Sequence, residues 1–410
     1  MTTQSAEATT DSPNIRSLIP ARIDRLPWSR FHNRLVIALG VAWILDGLEI
    51  TIASNVGPDL TLHNTLNLGA GQVGDIAWWY LIGEVIGALF FGHLSDKLGR
   101  KNLFTITLGV YLIGSGLTAA TPAGGHWIIF LYATRVLAGM GIGGEYAAIN
   151  SAIDELIPAR YRGRVDLIVN GSFWLGAAAG SGASLLFLDP HILPADLGWR
   201  FGFAIGGFLG LGILLLRGYV PESPRWLVIH GWKQEADAAI ENIEQRIRSE
   251  SAAPLAPSLG SITVHPRRSF GLGLIMSAML GSYRSRSLLA LTLMTAQAFL
   301  FNAVFFSYGL VLSTFHGVPE RTTGIYLLPL AVSNFLGPVL LAPLFDIVGR
   351  RKMIAGTYGA SGLLLSLTAL LLGFDAFTAW TQTIAWMVVF FFASAAASSA
   401  YLQIPVHRGQ

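Results

Sequence analysis

Long apolar blocks alternate with short polar stretches along this chain. Leu35–Gly57, Val73–Phe91, Leu103–Thr121 and Trp127–Tyr146 come first. Val165–Leu188, Phe201–Val220, Leu288–Phe315, Thr322–Leu344, Ile354–Phe374 and Trp380–Leu402 bring the set to ten. Each block is long enough to cross roughly 30 Å of hydrocarbon at 1.5 Å rise per residue. They are too long and too continuously apolar for barrel strands, and lipid offers no partner to an open backbone. The pattern therefore predicts an all-α polytopic membrane protein. A polar tail at 1–34, read as disordered and cytoplasmic, precedes a six-helix bundle at 35–220. A hydrophilic loop follows at 221–286, then four helices at 287–402 and a short tail at 403–410. Within the loop, Ala236, Ile240, Ile243 and Ile247 form one stripe of an amphipathic helix predicted over Trp232–Ser249.

Composition agrees with that pattern. The chain of 410 residues is 52% hydrophobic and 12% charged, whereas a soluble domain carries about twice that charged fraction. Cysteine is absent, which removes disulfides and thiolate metal sites. The histidines, among them His32, His93, His230 and His407, show no ligand spacing. No cofactor or metal is expected. The basic balance does not point to nucleic acid, because the charge is sorted by side. With a cytoplasmic amino terminus, all of the 27 Lys and Arg residues fall in inner loops except Arg200, Arg321 and the intramembrane Arg135. That asymmetry is the positive-inside pattern of a bacterial inner or plasma membrane protein.

Two loops read alike. Gly92-His-Leu-Ser-Asp96-Lys-Leu-Gly99-Arg100-Lys101 follows the second block, and Pro343-Leu-Phe-Asp346-Ile-Val-Gly349-Arg350-Arg351-Lys352 follows the eighth. Asp, Gly and Arg recur at one spacing, so the chain is a doubled bundle. The first loop resembles the signature of the major facilitator superfamily at every fixed position; the second has Ala342 in place of the first glycine. Arg135-Val-Leu-Ala-Gly139 resembles that superfamily's fourth-helix motif. Glu155-Leu-Ile-Pro158-Ala-Arg-Tyr-Arg162-Gly163-Arg164 and Pro221-Glu-Ser-Pro-Arg-Trp-Leu227 are similar to its sugar-porter and metabolite:proton-symporter branch. The resemblance implies a two-bundle fold of twelve helices, of which ten are found. The expectation is a chain lacking the last two, truncated or frameshifted. It also implies a secondary transporter, monomeric, with a small-molecule solute and protons as partners in a lipid bilayer.

Charged residues within the blocks need a reason, since lipid exposure is costly. Asp46, Glu49, Glu84, Arg135 and Glu145 were the intramembrane charges identified, all in the first half. At 1.5 Å per residue Asp46 and Glu49 lie about 17 and 21 Å from the inner face, and Arg135 about 12 Å from the outer one. These depths coincide. A carboxylate–guanidinium pair that breaks on protonation is expected; a static structural pair is the alternative. Sugar porters carry an acid that aligns with Glu49, while aromatic-acid symporters resemble the Asp46-Gly47-Leu48-Glu49 unit. Glu145 follows the run Gly139-Met-Gly-Ile-Gly143-Gly144. That run follows no strand, so close helix packing is preferred to dinucleotide binding. Glu145 itself is expected to join a cytoplasmic network with Arg162 or Arg164.

Asp96, Arg100 and Lys101, with Glu155, Arg162, Asp346 and Arg350, are expected to latch the cytoplasmic side; a simple positive-inside stop is the bland reading. Gln297 and Asn302 resemble the helix-7 run of sugar porters, with Phe299 and Leu300 replacing a Ser-Gly pair. That change, with Phe301, Phe305 and Phe306 nearby, favours a flatter solute than a hexose. Asn170 and Trp174, four apart, are candidates for the opposite wall. Interhelical bonding and packing are the alternatives for these residues. No catalytic triad or phosphate loop occurs, and the chain is not expected to be an enzyme. The reading reached is proton symport of a small carboxylate or aromatic acid, with a sugar or polyol next. A receptor on a transporter scaffold and a non-functional fragment are the rivals of another class.

Overall fold

The computed structural model describes residues 15–216, 221–250, 255–257, 260–264, 272–305, 308–318 and 323–400. Strand β1 (Ile15–Ser17) and helix α1 (Ile19–Asp24) precede the long helices α2 (Arg30–Leu60), α3 (Ala70–Leu98), α4 (Arg100–Ala119) and α5 (Ile128–Leu156). Helices α6 (Ala159–Gly171), α7 (Phe173–Phe187) and α8 (Ala195–Leu216) complete the first half. The loop between the two halves forms α9 (Pro224–Ile229), α10 (Lys233–Glu250), β2 (Ile262–Val264) and α11 (Leu272–Leu280). Then come α12 (Arg284–Phe305), α13 (Tyr308–His316), α14 (Thr323–Ile347), α15 (Arg350–Gly373) and α16 (Ala379–Ala400).

Among the described residues seven helices are long and apolar enough to cross a membrane: those over α2, α3, α4, α5, α14, α15 and α16. The expected sixth segment is α8. The fifth is two helices rather than one, interrupted at Ser172, whose hydroxyl lies 2.6 Å from Val169 O and 2.9 Å from Gly40 O on α2. The seventh comprises α12 and α13. Large apolar side chains such as Leu89, Ile129, Phe208 and Leu363 point outward, while the interior, itself mostly apolar, also holds ionisable and hydroxyl groups. So apolar an outer surface suits a lipid exterior.

Backbones approach closely where glycine removes the side chain. A β-carbon at Gly47 or Gly176 would collide with the Phe173 or Ile44 carbonyl, which sets α2 against α7. Gly139 and Gly143 do the same for α5 against the backbone of Tyr80 and Glu84 on α3. The glycine run is therefore a packing surface here.

The amino-terminal tail departs from expectation. From Ile15 it is built into the fold: β1 pairs antiparallel with β2, Ile15 opposite Val264. Ile19 and Ile23 pack in one apolar cluster with the α10 stripe Ala236, Ile240, Ile243 and Ile247. Arg22 makes a fork with Glu244, Nε to Oε1 at 3.0 Å and Nη2 to Oε2 at 2.9 Å, and Arg25 Nη2 sits 2.6 Å from Glu244 Oε1. The acids lie more than two hundred residues away in sequence, so local composition reads only a polar tail. The Glu244 carboxyl is pushed up by burial, but the Arg22 and Arg25 hydrogen bonds outweigh this and lower it from its ordinary value. The same bond to Glu244 raises Arg22. Helix α11 is a further addition, nine residues inside the expected loop and too short to cross a bilayer.

A buried charge network and its family

Four helices bring the intramembrane charges together. Arg135 on α5 donates from Nη1 to Glu49 Oε1 on α2 at 2.8 Å, and both side chains are 1% exposed. The guanidinium carbon stands 4.3 Å from the Tyr80 ring centroid and 4.9 Å from that of Phe203. Aromatic faces thus stand in for part of the water that a cation loses on burial. The shared depth expected from helical rise is realised as an ion pair.

Asp46 takes a different partner set. Tyr80 Oη donates to its Oδ1 at 3.4 Å, and Tyr146 Oη donates to Oδ2. Tyr146 in turn stacks on Trp43, centroids 4.6 Å apart. One helical turn therefore separates an acid paired with a cation from an acid held by phenols. Both phenols escaped the sequence reading as partners of Asp46, since nothing local marks a tyrosine as facing an acid on another helix. Tyr111 and Ser115 on α4 also line Glu49 and were likewise missed. Ser115 Oγ lies 3.4 Å from each Glu49 oxygen and 3.0 Å from Phe203 O.

Two expectations need correction. Glu145 is buried and its Oε1 has no hydrogen-bond partner. It does not reach Arg162, which donates instead to Ile157 O at 2.8 Å and lies 3.5 Å from Asp24. Glu145 is instead buried next to Tyr146, whose hydroxyl donates to Asp46. Asp166, at the inner end of the fifth segment, is a further buried acid beyond the five named. Asn170 Nδ2 donates to its Oδ1 at 3.0 Å and to its carbonyl at 2.9 Å. This places the Asn170 amide in its own helix turn.

The two halves meet through aromatic rings. Trp174 on α7 stacks on Phe301 on α12 at 5.3 Å, and Phe301 meets Phe390 on α16 edge-on at 5.2 Å. Gln297 is half-buried. Phe299 is 75% exposed, so it points away from the inter-bundle space and carries no argument about solute shape. The side chains of Asn302 and Phe305, and all of Phe306, lie outside the described residues.

At the α3–α4 turn Arg100 Nη2 pairs with Glu155 at 3.1 Å and Nη1 donates to Ser95 O at 2.8 Å. The Arg100 amide donates to Glu222 Oε1 at 2.9 Å. Gly99 has φ +83°, and a β-carbon there would come 2.5 Å from Glu222 Oε2. Glu222 thus occupies the positive end of α4, where a helix favours an anion. The sequence placed Glu222 in a family motif without assigning it a partner. Lys101 and Arg350 are exposed, and the Asp96 and Asp346 side chains lie outside the described residues.

Residues 62–404 match the family described as Sugar (and other) transporter. The chain belongs to that family. It is 28% identical over 348 residues to the niacin transporter NiaP of Acinetobacter baylyi, covering 84% of this chain and 74% of NiaP. It is 32% identical over 224 residues to the inner membrane metabolite transport protein YgcS of Escherichia coli, covering 54% of this chain and 47% of that one. The fold of this transporter-family member matches a partially occluded inward-open structure of the E. coli xylose transporter XylE, with TM-score 0.67, 20% identity, and 91% and 84% of the two chains covered. An all-α polytopic fold of the major facilitator type, integral to a membrane, is thereby established.

Proposed function

We propose that this family member is a proton-coupled symporter of a small organic metabolite, set in a bacterial inner membrane with its amino terminus cytoplasmic. The observation that carries the reading is the dry Glu49–Arg135 pair. Removing one charge of a buried pair strands the other, at a cost of about 3–5 kcal/mol. A proton landing on Glu49 therefore does what no distant contact can: it frees Arg135 and re-weights the two access states. Asp46, held by two phenols, is a second group able to take a proton in the same layer. Arg100, Glu155 and Glu222 form the inner latch; Lys101, Arg350, Asp96 and Asp346 are assigned to it by the repeated sequence motif alone. Trp174, Phe301 and Gln297, with Asn302, supply the solute wall; Asn170 is a weaker candidate because its amide is engaged with Asp166.

The flat, aromatic character of that wall supports an aromatic acid of the nicotinate kind, which also suits the likeness to a niacin transporter. The test is proton uptake into proteoliposomes holding the full chain, on addition of nicotinate, benzoate, xylose or glucose. Nicotinate- or benzoate-driven alkalinisation outside the vesicles is expected. Alkalinisation with the sugars alone transfers the reading to a sugar symporter, and solute entry without proton movement removes the coupling.

A further inference from the structure

Among the described residues, Glu49 is faced by Arg135 from α5, Tyr80 from α3, Asp46 from its own helix, and Tyr111 and Ser115 from α4; Glu84 adds an acid on α3. Helix α8 contributes no charge, only Phe203 O and Gly206. Arg135 satisfies one Glu49 oxygen in the paired state. On the α4 side Tyr111 is fully buried; its hydroxyl lies beside Glu49 and Ser115 but makes no hydrogen bond of full geometry in the ion-paired state. A buried polar group left unpaired costs about 1–3 kcal/mol and asks for an explanation. A β-carbon at Gly206 would come 2.5 Å from Tyr111 Oη and 3.1 Å from Glu49 Oε2. The phenol and the carboxylate therefore flank one bare backbone position, and Ser115 stands one turn further along α4 with its hydroxyl aimed at Phe203 O.

A neutral carboxyl needs one acceptor for its hydrogen and one donor to its carbonyl oxygen. The α4 face offers one of each. We infer that Ser115 and Tyr111 are positioning residues that receive the protonated form of Glu49 after Arg135 leaves. The Glu49 hydroxyl donates to Ser115 Oγ, Ser115 keeps its own hydrogen on Phe203 O, and Tyr111 Oη donates to the remaining Glu49 oxygen. The bare α-carbon of Gly206 leaves space for that turn of the side chain. In the ion-paired state the Ser115 contacts are long, 3.4 Å, because Arg135 holds the carboxylate toward α5. The inference rests on the proton-carrying role of Glu49 proposed above.

Infrared spectra of the full chain in lipid vesicles, recorded against pH without solute, test it. A protonated carboxyl band that vanishes in Glu49→Gln identifies the group. Ser115→Ala should demand about tenfold more acid for half amplitude, the loss of one hydrogen bond to the neutral form, and Ser115→Thr should titrate like the natural chain. Tyr111→Phe should move the carbonyl stretch to higher frequency, because its donor is gone. A Ser115→Ala band that titrates at the natural pH or above it overturns the inference, as does a Tyr111→Phe band at its natural frequency. Absence of any Glu49 band withdraws the proton-carrying reading itself, and the inference with it.

Discussion

The two halves of the membrane domain bury polar groups in opposite ways. In the first half, α2 to α8, the interior holds Glu49 against Arg135 and Asp46 under two phenols. Among the described residues of α12 to α16 the buried polar groups are hydroxyls and amides. Tyr308 and Thr383 share a bond of 2.7 Å, Ser333 donates to Met387 O at 2.6 Å, and Asn334 donates to Leu330 O at 3.0 Å. A hydroxyl bonded to a backbone carbonyl is neutral, whereas the Glu49–Arg135 pair sets two full charges in the interior. On the proposed reading the first half is the part that changes state and the second holds shape around a solute.

The largest effect expected follows from Glu49→Gln, which should abolish proton-driven accumulation in vesicles while leaving solute exchange intact. Thr383→Val, on the other side of the comparison, should leave both. If Glu49→Gln vesicles still concentrate solute, the division of labour fails. Arg135→Leu strands a carboxylate and should lower unfolding stability in detergent by about 3–5 kcal/mol, against about 1 kcal/mol for Tyr308→Phe. Equal losses would show that charge is not what distinguishes the halves. Glycine packing should not distinguish them at all. Gly47→Leu on α2 and Gly337→Leu, whose added β-carbon would meet the Phe391 carbonyl, should each cost about 1–3 kcal/mol by overpacking, read as a shift in thermal unfolding.

The smallest effect concerns the clasp between the amino-terminal segment and α10. Glu244 is held below its ordinary value of 4.5 in the folded state. Its contribution is therefore complete above that value and is lost as pH falls through the depressed folded value. Hydrogen exchange at β1 and α10 should accelerate under those acidic conditions, and Arg22→Gln combined with Arg25→Gln should erase the acid dependence. Exchange that is flat with pH in both proteins would assign the clasp to its apolar contacts alone.

Much of this was legible in advance for identifiable reasons. Lipid-length apolar blocks announce helices because the bilayer forbids other backbones. Asp46, Glu49 and Arg135 stand out because charge is rare in such blocks, and helical rise alone puts them at one depth. Gly139 and Gly143 follow the same logic. What stayed hidden depended on partners from distant helices. Glu145 looked like a cytoplasmic residue by its place in the chain, yet side-chain direction carries it into the buried layer. Phe299 looked like a lining residue by its likeness to a motif, yet it turns outward. Arg22 and Arg25 counted only as inner-side charges until Glu244 met them.

By itself, then, the amino-acid sequence determined the helical class, the repeat, the sorting of positive charge and the identity of the residues that cannot face lipid. Those are properties of one-dimensional spacing and solvent preference, which act locally. Which acid takes the arginine and which takes the phenols was decided only by tertiary packing. Asp46 and Glu49 share a helix face, and their chemistry differs solely in what α3, α4 and α5 present to each. That difference is set by rotation and close approach between helices, quantities to which the order of residues along any one helix is blind.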